Sequence, residues 1–67
     1  MNKFSERLKE LRIENNLTQE ELAKKAGITQ SGIAKWEAGV RSPSIDTLII
    51  LAKFFDCSID YLVGYEN

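Results

Sequence analysis

"TQEELAKKAGITQSGIAKWEAG", residues 18–39, decides how the rest of the chain is read. Thr18 with Glu21 three residues later is a capping box, in which each side chain satisfies an orphan backbone donor at a helix start. Leu22, Ala23 and Ala26 follow at helical spacing. Gly27 supplies the positive φ that a helix end often needs. Only Ile28 then separates it from a second cap, Thr29. From about Gln30 to Ala38, Ile33, Trp36 and Glu37 share one face, and Gly39 stops the run. Two helices joined by so short a turn cross steeply rather than lie side by side. Ala23 is small where they cross, and a β-branched residue at Gly27 would strain the turn. The stretch therefore specifies a helix, a tight turn and a second helix that protrudes with one side free.

The flanks read as helices too. The first runs from about Asn2 to Asn15, with Phe4, Leu8, Leu11, Arg12 and Asn15 on one face and Leu17 tucking back as an anchor. After Gly39, "VRSPS" is a loop in which Pro43 blocks a helix and Ser44 is placed to cap the next. That fourth helix runs from about Ile45 to Phe55, with Leu48, Leu51, Ala52 and Phe55 inward. "DCS" breaks it, and Ser58 caps a short fifth helix holding Ile59 and Leu62 and ended by Gly64. Strand-like alternation, repeats and linkers are absent from the sequence. The expected fold is all-α: one compact five-helix domain over residues 1–67, with the helix-turn-helix at about 18–38 and helices four and five at about 45–64.

Composition narrows the chemistry. A chain of 67 residues is one domain and buries a modest share of its surface, so it depends on efficient packing, a metal, disulfides or a partner subunit. Cys57 is the only cysteine and there is no histidine, which excludes a disulfide, argues against a structural zinc and leaves no cofactor implied. The lone thiol reads as a small apolar residue. The opening "MNKFSERLKE" is too charged for a signal peptide, and no apolar run approaches the roughly 20 residues of a membrane span. A soluble, cytoplasmic protein is expected. Catalysis lacks its parts: the acids lie on solvated helix faces, where Glu6 with Lys9 and Glu10 near Arg7 read as surface pairs, and no Gly-rich loop follows a strand. The chain is not expected to be an enzyme.

Charge is nearly balanced, nine Lys and Arg against ten Asp and Glu, but unevenly spread. Residues 1–41 hold eight basic and six acidic side chains; residues 42–67 hold one basic residue against Asp46, Asp56, Asp60 and Glu66. A polyanion would meet the first part. Two charges also sit on apolar faces, Arg12 beside Leu8 and Leu11, and Glu37 beside Ile33. A charge so placed is costly unless paired, and each answers the other, so a partly buried Arg12–Glu37 salt bridge is expected. The alternative is that Arg12 snorkels its head to water.

The ordered set "LTQEELAKKAGIT", "IAKWEAG" and "SPSIDTL" resembles the phage repressor and Cro type of helix-turn-helix, the xenobiotic-response-element family, and the likeness covers nearly the whole chain. The resemblance implies a lambda-repressor-like domain of five helices that binds double-stranded DNA with helix three in the major groove. It implies that Gln19 contacts phosphate and braces Gln30, that Gln30, Ser31 and Lys35 face base edges, and that Arg12 and Glu37 form a salt bridge. Helix geometry agrees: Ser31, Ala34 and Lys35 point away from the Ile33–Trp36 face. Gln can bond adenine twice, Lys can donate to guanine, and Ala34 could meet a thymine methyl. Gly32 and Ala34 add no side-chain bulk to keep a groove away. Phosphate contacts are expected from Gln19, Asn16, Arg41 and Lys24, although Glu20 and Glu21 stand one turn from Lys24 and partly cancel it. Trp36 reads as core rather than as a base-stacking platform.

More apolar surface remains than a monomer this small can cover. Ile50, Phe54, Tyr61, Val63 and Tyr65 are expected to form a patch, with Phe54 fitting either the patch or a fold under helix five. A two-fold homodimer through helix five and the C-terminus would cover the patch and set two reading helices about 34 Å apart on a pseudo-palindromic operator. The expected function is a transcriptional regulator, a repressor first. The alternative is a protein-binding module such as an antitoxin or adaptor component, and a protein partner is compatible with either.

Overall fold

A computed structural model describes residues 3–65 and contains five helices: α1 (Phe4–Glu14), α2 (Gln19–Ala26), α3 (Gln30–Glu37), α4 (Ile45–Phe54) and α5 (Ile59–Val63). Asn2, the expected start of the first helix, and Glu66 of the acidic set lie outside the described residues. Four of the five helices start on a hydroxyl. Thr18, Thr29, Ser44 and Ser58 accept from the backbone N–H three residues on, at Glu21, Gly32, Thr47 and Tyr61. At Thr18 the box is complete, because the Glu21 carboxylate takes the Thr18 N–H at 2.9 Å. That hydrogen bond, and the Thr18 hydroxyl after it, holds the Glu21 carboxyl below its ordinary pKa.

All five helices stop the same way. The residues at Asn16, Gly27, Gly39, Asp56 and Gly64 take positive φ, from 54° to 80°. The next N–H then turns back to a carbonyl five residues earlier: Leu17 to Arg12, Ile28 to Ala23, Val40 to Lys35, Cys57 to Ala52, Tyr65 to Asp60. This closure satisfies carbonyls that a helix end would leave orphaned. Glycine takes that conformation freely, while Asn and Asp are the side chains that tolerate it best. So short a stop at Gly27 lets α2 and α3 follow each other with only Ile28 and the Thr29 cap between them.

The buried faces converge on one core. Phe4 and Leu8 come from α1, Leu22 and Ala23 from α2, Ile33 and Trp36 from α3, Leu48, Leu51 and Ala52 from α4, and Leu62 from α5. Phe4 meets Trp36 edge to face, with ring centroids 6.4 Å apart, tying α1 to α3. α1 also packs on α5, where the Arg7 guanidinium lies 4.1 Å from the centre of the Tyr61 ring and donates to the Tyr61 carbonyl at 2.7 Å. Arg7 thus joins helices 54 residues apart in sequence, rather than serving the surface pair with Glu10 that its helical spacing suggests. Among the described residues no helix is long and apolar enough to cross a membrane.

Candidate nucleic-acid interface

α3 is fixed from behind. Ile33 and Trp36 are buried, and Glu37 at its last turn is drawn into a polar cluster. Arg12 Nε donates to Glu37 Oε2 at 2.7 Å and Arg12 Nη2 donates to Glu37 Oε1 at 3.0 Å, a forked pair. The two side chains are only 13% and 6% exposed, so neither charge is left to solvent. Arg12 Nη1 donates to the Leu17 carbonyl at 2.8 Å, closing the guanidinium's third direction onto the α1–α2 turn. Hydrogen bonding to Glu37 raises the Arg12 pKa further, against the opposing pull of burial.

Gln19, the first residue of α2, completes this cluster. Its amide nitrogen donates to Glu37 Oε1 at 3.1 Å. The resemblance implies that Gln19 braces Gln30; in the structure its amide nitrogen bonds Glu37, which ties the start of α2 to the end of α3. One carboxylate therefore gathers three N–H groups from α1 and α2. The signal that could have found this is the amide at the first residue of α2, one long side chain away from a carboxylate already needed by Arg12.

The other side of α3 is open. Gln30, Ser31 and Lys35 are exposed, and Ala34 between them is half-buried. α3 is also the one helix of the five whose first turn carries no acid; Glu6, Glu20 with Glu21, Asp46 and Asp60 occupy the others. The partial positive charge of its N-terminus is thus left unopposed by its own sequence. Gly32 has a different reason from the one its position suggests. A Cβ there would come within 2.8 Å of Thr29 Oγ1 and 3.1 Å of the Trp36 ring, so glycine admits the cap and the indole inward, not a groove outward.

Of the residues expected to meet phosphate, Asn16 and Arg41 are exposed at the α1–α2 turn and the α3–α4 loop. Lys24 is exposed and lies 3.8 Å from Glu20, one turn earlier, which offsets part of its charge. Gln19 is half-buried, its amide engaged as above. The residues expected in an apolar patch divide. Ile50 and Phe54 are exposed on α4, and Tyr65 is exposed after α5. Tyr61 is half-buried against Arg7, and Val63 is half-buried against the core. Ile45 and Ile49, which the sequence pattern does not mark as patch residues, are also exposed on α4.

Comparison with known proteins agrees with this geometry. Residues 8–62 match the helix-turn-helix family. The chain is 43% identical over 64 residues to YobD of Bacillus subtilis, an uncharacterized HTH-type transcriptional regulator, covering 96% of this chain and 57% of that protein. It is 41% identical over 64 residues to BcrR of Enterococcus faecalis, an HTH-type transcriptional activator, covering 96% of this chain and 31% of that one. The chain thus spans about half or less of the length of these relatives. The crystal structure of the restriction-modification controller protein C.AhdI from Aeromonas hydrophila superposes with a TM-score of 0.80 at 37% identity, covering 90% of this chain and 91% of that one. With its two capped helices, its tight Gly27 turn and its exposed third helix, the chain belongs to the helix-turn-helix family of transcriptional regulators.

Proposed function

We propose that the chain binds double-stranded DNA sequence-specifically, with α3 in the major groove. The observation that carries this reading is the division of α3: Ile33, Trp36 and Glu37 hold it to the domain, while Gln30, Ser31 and Lys35 stand free. Gln30 carries the donor and acceptor that read an adenine edge and Lys35 the donor that reads a guanine edge, Ser31 serves either, and Ala34 offers a methyl to thymine. Asn16, Arg41, Lys24 and the second amide hydrogen of Gln19 supply phosphate contacts, which set register rather than sequence. Few such contacts per domain make a single domain a weak binder, so a homodimer on a pseudo-palindromic operator is the working form. A DNA target places the protein in the cytoplasm with the nucleoid.

Repression is the sign of control favoured, since occluding a promoter asks nothing of the protein beyond operator affinity. Activation asks for a second contact with the transcription machinery. Selection of bound sequences from random duplex DNA tests the reading. A two-fold symmetric motif, with affinity that falls steeply with salt while the preference survives, is the expected result. Binding that shows no sequence preference at any salt concentration would remove it. A reporter with the selected operator placed over its promoter then decides the sign.

A further inference from the structure

α4 has an outward face as ordered as its inward one. Ile45 (64% exposed), Ile49 (39%), Ile50 (39%) and Phe54 (37%) are exposed with Asp46 and Lys53 between them. These six positions are symmetric about the helix midpoint, between Ile49 and Ile50. Ile45 mirrors Phe54, Asp46 mirrors Lys53 and Ile49 mirrors Ile50. At 100° per residue Asp46 and Lys53 fall close to the midline of that face, one near each end, with Ile49 and Ile50 just to either side of the centre. Such a surface is complementary to itself. A two-fold operation that lays α4 antiparallel on a second α4 brings opposite charges together at both ends and apolar side chains together in the middle.

We propose that α4 is the seam of a homodimer, packed antiparallel on the α4 of a second copy of this chain. Asp46 of each copy faces Lys53 of the other, Ile49 and Ile50 each meet their own counterparts beside the two-fold axis, and Ile45 and Phe54 flank the seam. The contact is isologous, as a closed dimer requires. The occupant is argued from charge as well as apolarity: an unrelated partner has no reason to match an acid and a base placed symmetrically at the two ends of one helix. The ring of Phe54 is braced edge to face by Phe55, with centroids 5.0 Å apart, so the rim of the seam is held before the partner arrives. A ten-residue helix is about 15 Å long, so the seam is short and the dimer weak in free solution. The inference rests on the dimeric DNA-binding reading above and moves the contact from α5 and the C-terminus to α4.

Self-association without DNA tests it, by sedimentation equilibrium at low salt up to millimolar protein, with circular dichroism confirming helix content. Asp46→Lys and Lys53→Asp should each weaken association at least tenfold, because like charges then meet at both ends. Mixing the two variants should restore it as a heterodimer, and the double variant D46K/K53D should restore it as a homodimer. An Ile49→Lys variant should be monomeric, with its helix content intact. A wild-type chain that stays monomeric at millimolar concentration overturns the proposal and leaves the face to another protein. Single variants that associate like the wild type overturn it in favour of the Tyr65 end of the molecule, and failure of the mixture to recover overturns the pairing. None of these readouts contains DNA, so they stand or fall apart from DNA recognition, which is measured separately on a half-site duplex.

Discussion

α3 and α4 each begin on a hydroxyl cap, Thr29 or Ser44, each bury a stripe at helical spacing, and each stop at a left-handed residue, Gly39 or Asp56. Inward, Ile33 and Trp36 on one do what Leu48, Leu51 and Ala52 do on the other. Outward they differ: α3 shows Gln30, Ser31 and Lys35, while α4 shows four large apolar side chains around one acid and one base. What attaches a helix to this domain is therefore independent of what the helix offers to others. The inward stripe supplies stability, and the outward face is free to be polar for a groove or apolar for a protein.

The likeness between the inward stripes should break last. Trp36→Ala and Leu51→Ala should cost about 3–5 and about 2–5 kcal/mol, read from urea unfolding. Either loss is a large part of the stability of a domain this small. A loss under about 1 kcal/mol at one site alone would show that the two helices are not held alike. Next, α3 has a polar tie to other helices that α4 lacks among the described residues. Glu37→Gln strands a mostly buried guanidinium and should cost about 3 kcal/mol. Arg12→Met combined with Glu37→Leu should cost less than the single change; a double variant worse than Glu37→Gln would mean that the pair contributes net stability.

The outward faces predict smaller effects of a different kind. Lys35→Ala should leave unfolding within about 0.5 kcal/mol of wild type and remove about 1–3 kcal/mol of discrimination at one base pair of the selected operator. Gln19→Ala should weaken all duplexes similarly and leave the salt slope close to that of the wild type, because a neutral amide displaces no counterion from the phosphates. It should also cost some stability, because the amide supports Glu37. Base preference that shifts with Gln19 rather than Lys35 would reverse the roles given to α2 and α3. The smallest effect separates the two stops. Asp56→Gly should stabilise by about 0.5–1 kcal/mol, relieving a left-handed side chain and a negative charge at the C-terminal end of α4. Gly39, already glycine, offers no such gain, and a lower melting temperature for D56G would show that the Asp56 side chain has a role of its own.

The sequence makes local features plain and long-range ones obscure. Thr18, Thr29, Ser44 and Ser58 announce helix starts because a cap works within three residues, and Gly27, Gly39 and Gly64 announce stops for the same reason. Arg12 and Glu37 are legible across 25 residues only because each violates the apolar pattern of its own helix. Arg7 violates nothing, since an exposed helix face is a normal place for arginine, and its partner Tyr61 arrives from the far end of the chain. Gly32 looks like an allowance for DNA until Thr29 Oγ1 and the Trp36 ring are seen crowding the position its Cβ would take. Ile45 and Ile49 escape notice because an apolar helix reads as core from every side until packing shows which side is left over.

Lys3, just before α1, lies against Gly64, just after α5, and this has a practical consequence. A side chain at Gly64 would run into the stem of Lys3, so the start of α1 and the end of α5 lie side by side. A unit entered at residue 3 and left at residue 64 can be set into a surface loop of another protein without prising that loop apart. This small reader should be portable as a cassette, and the outward face of α4 would travel with it.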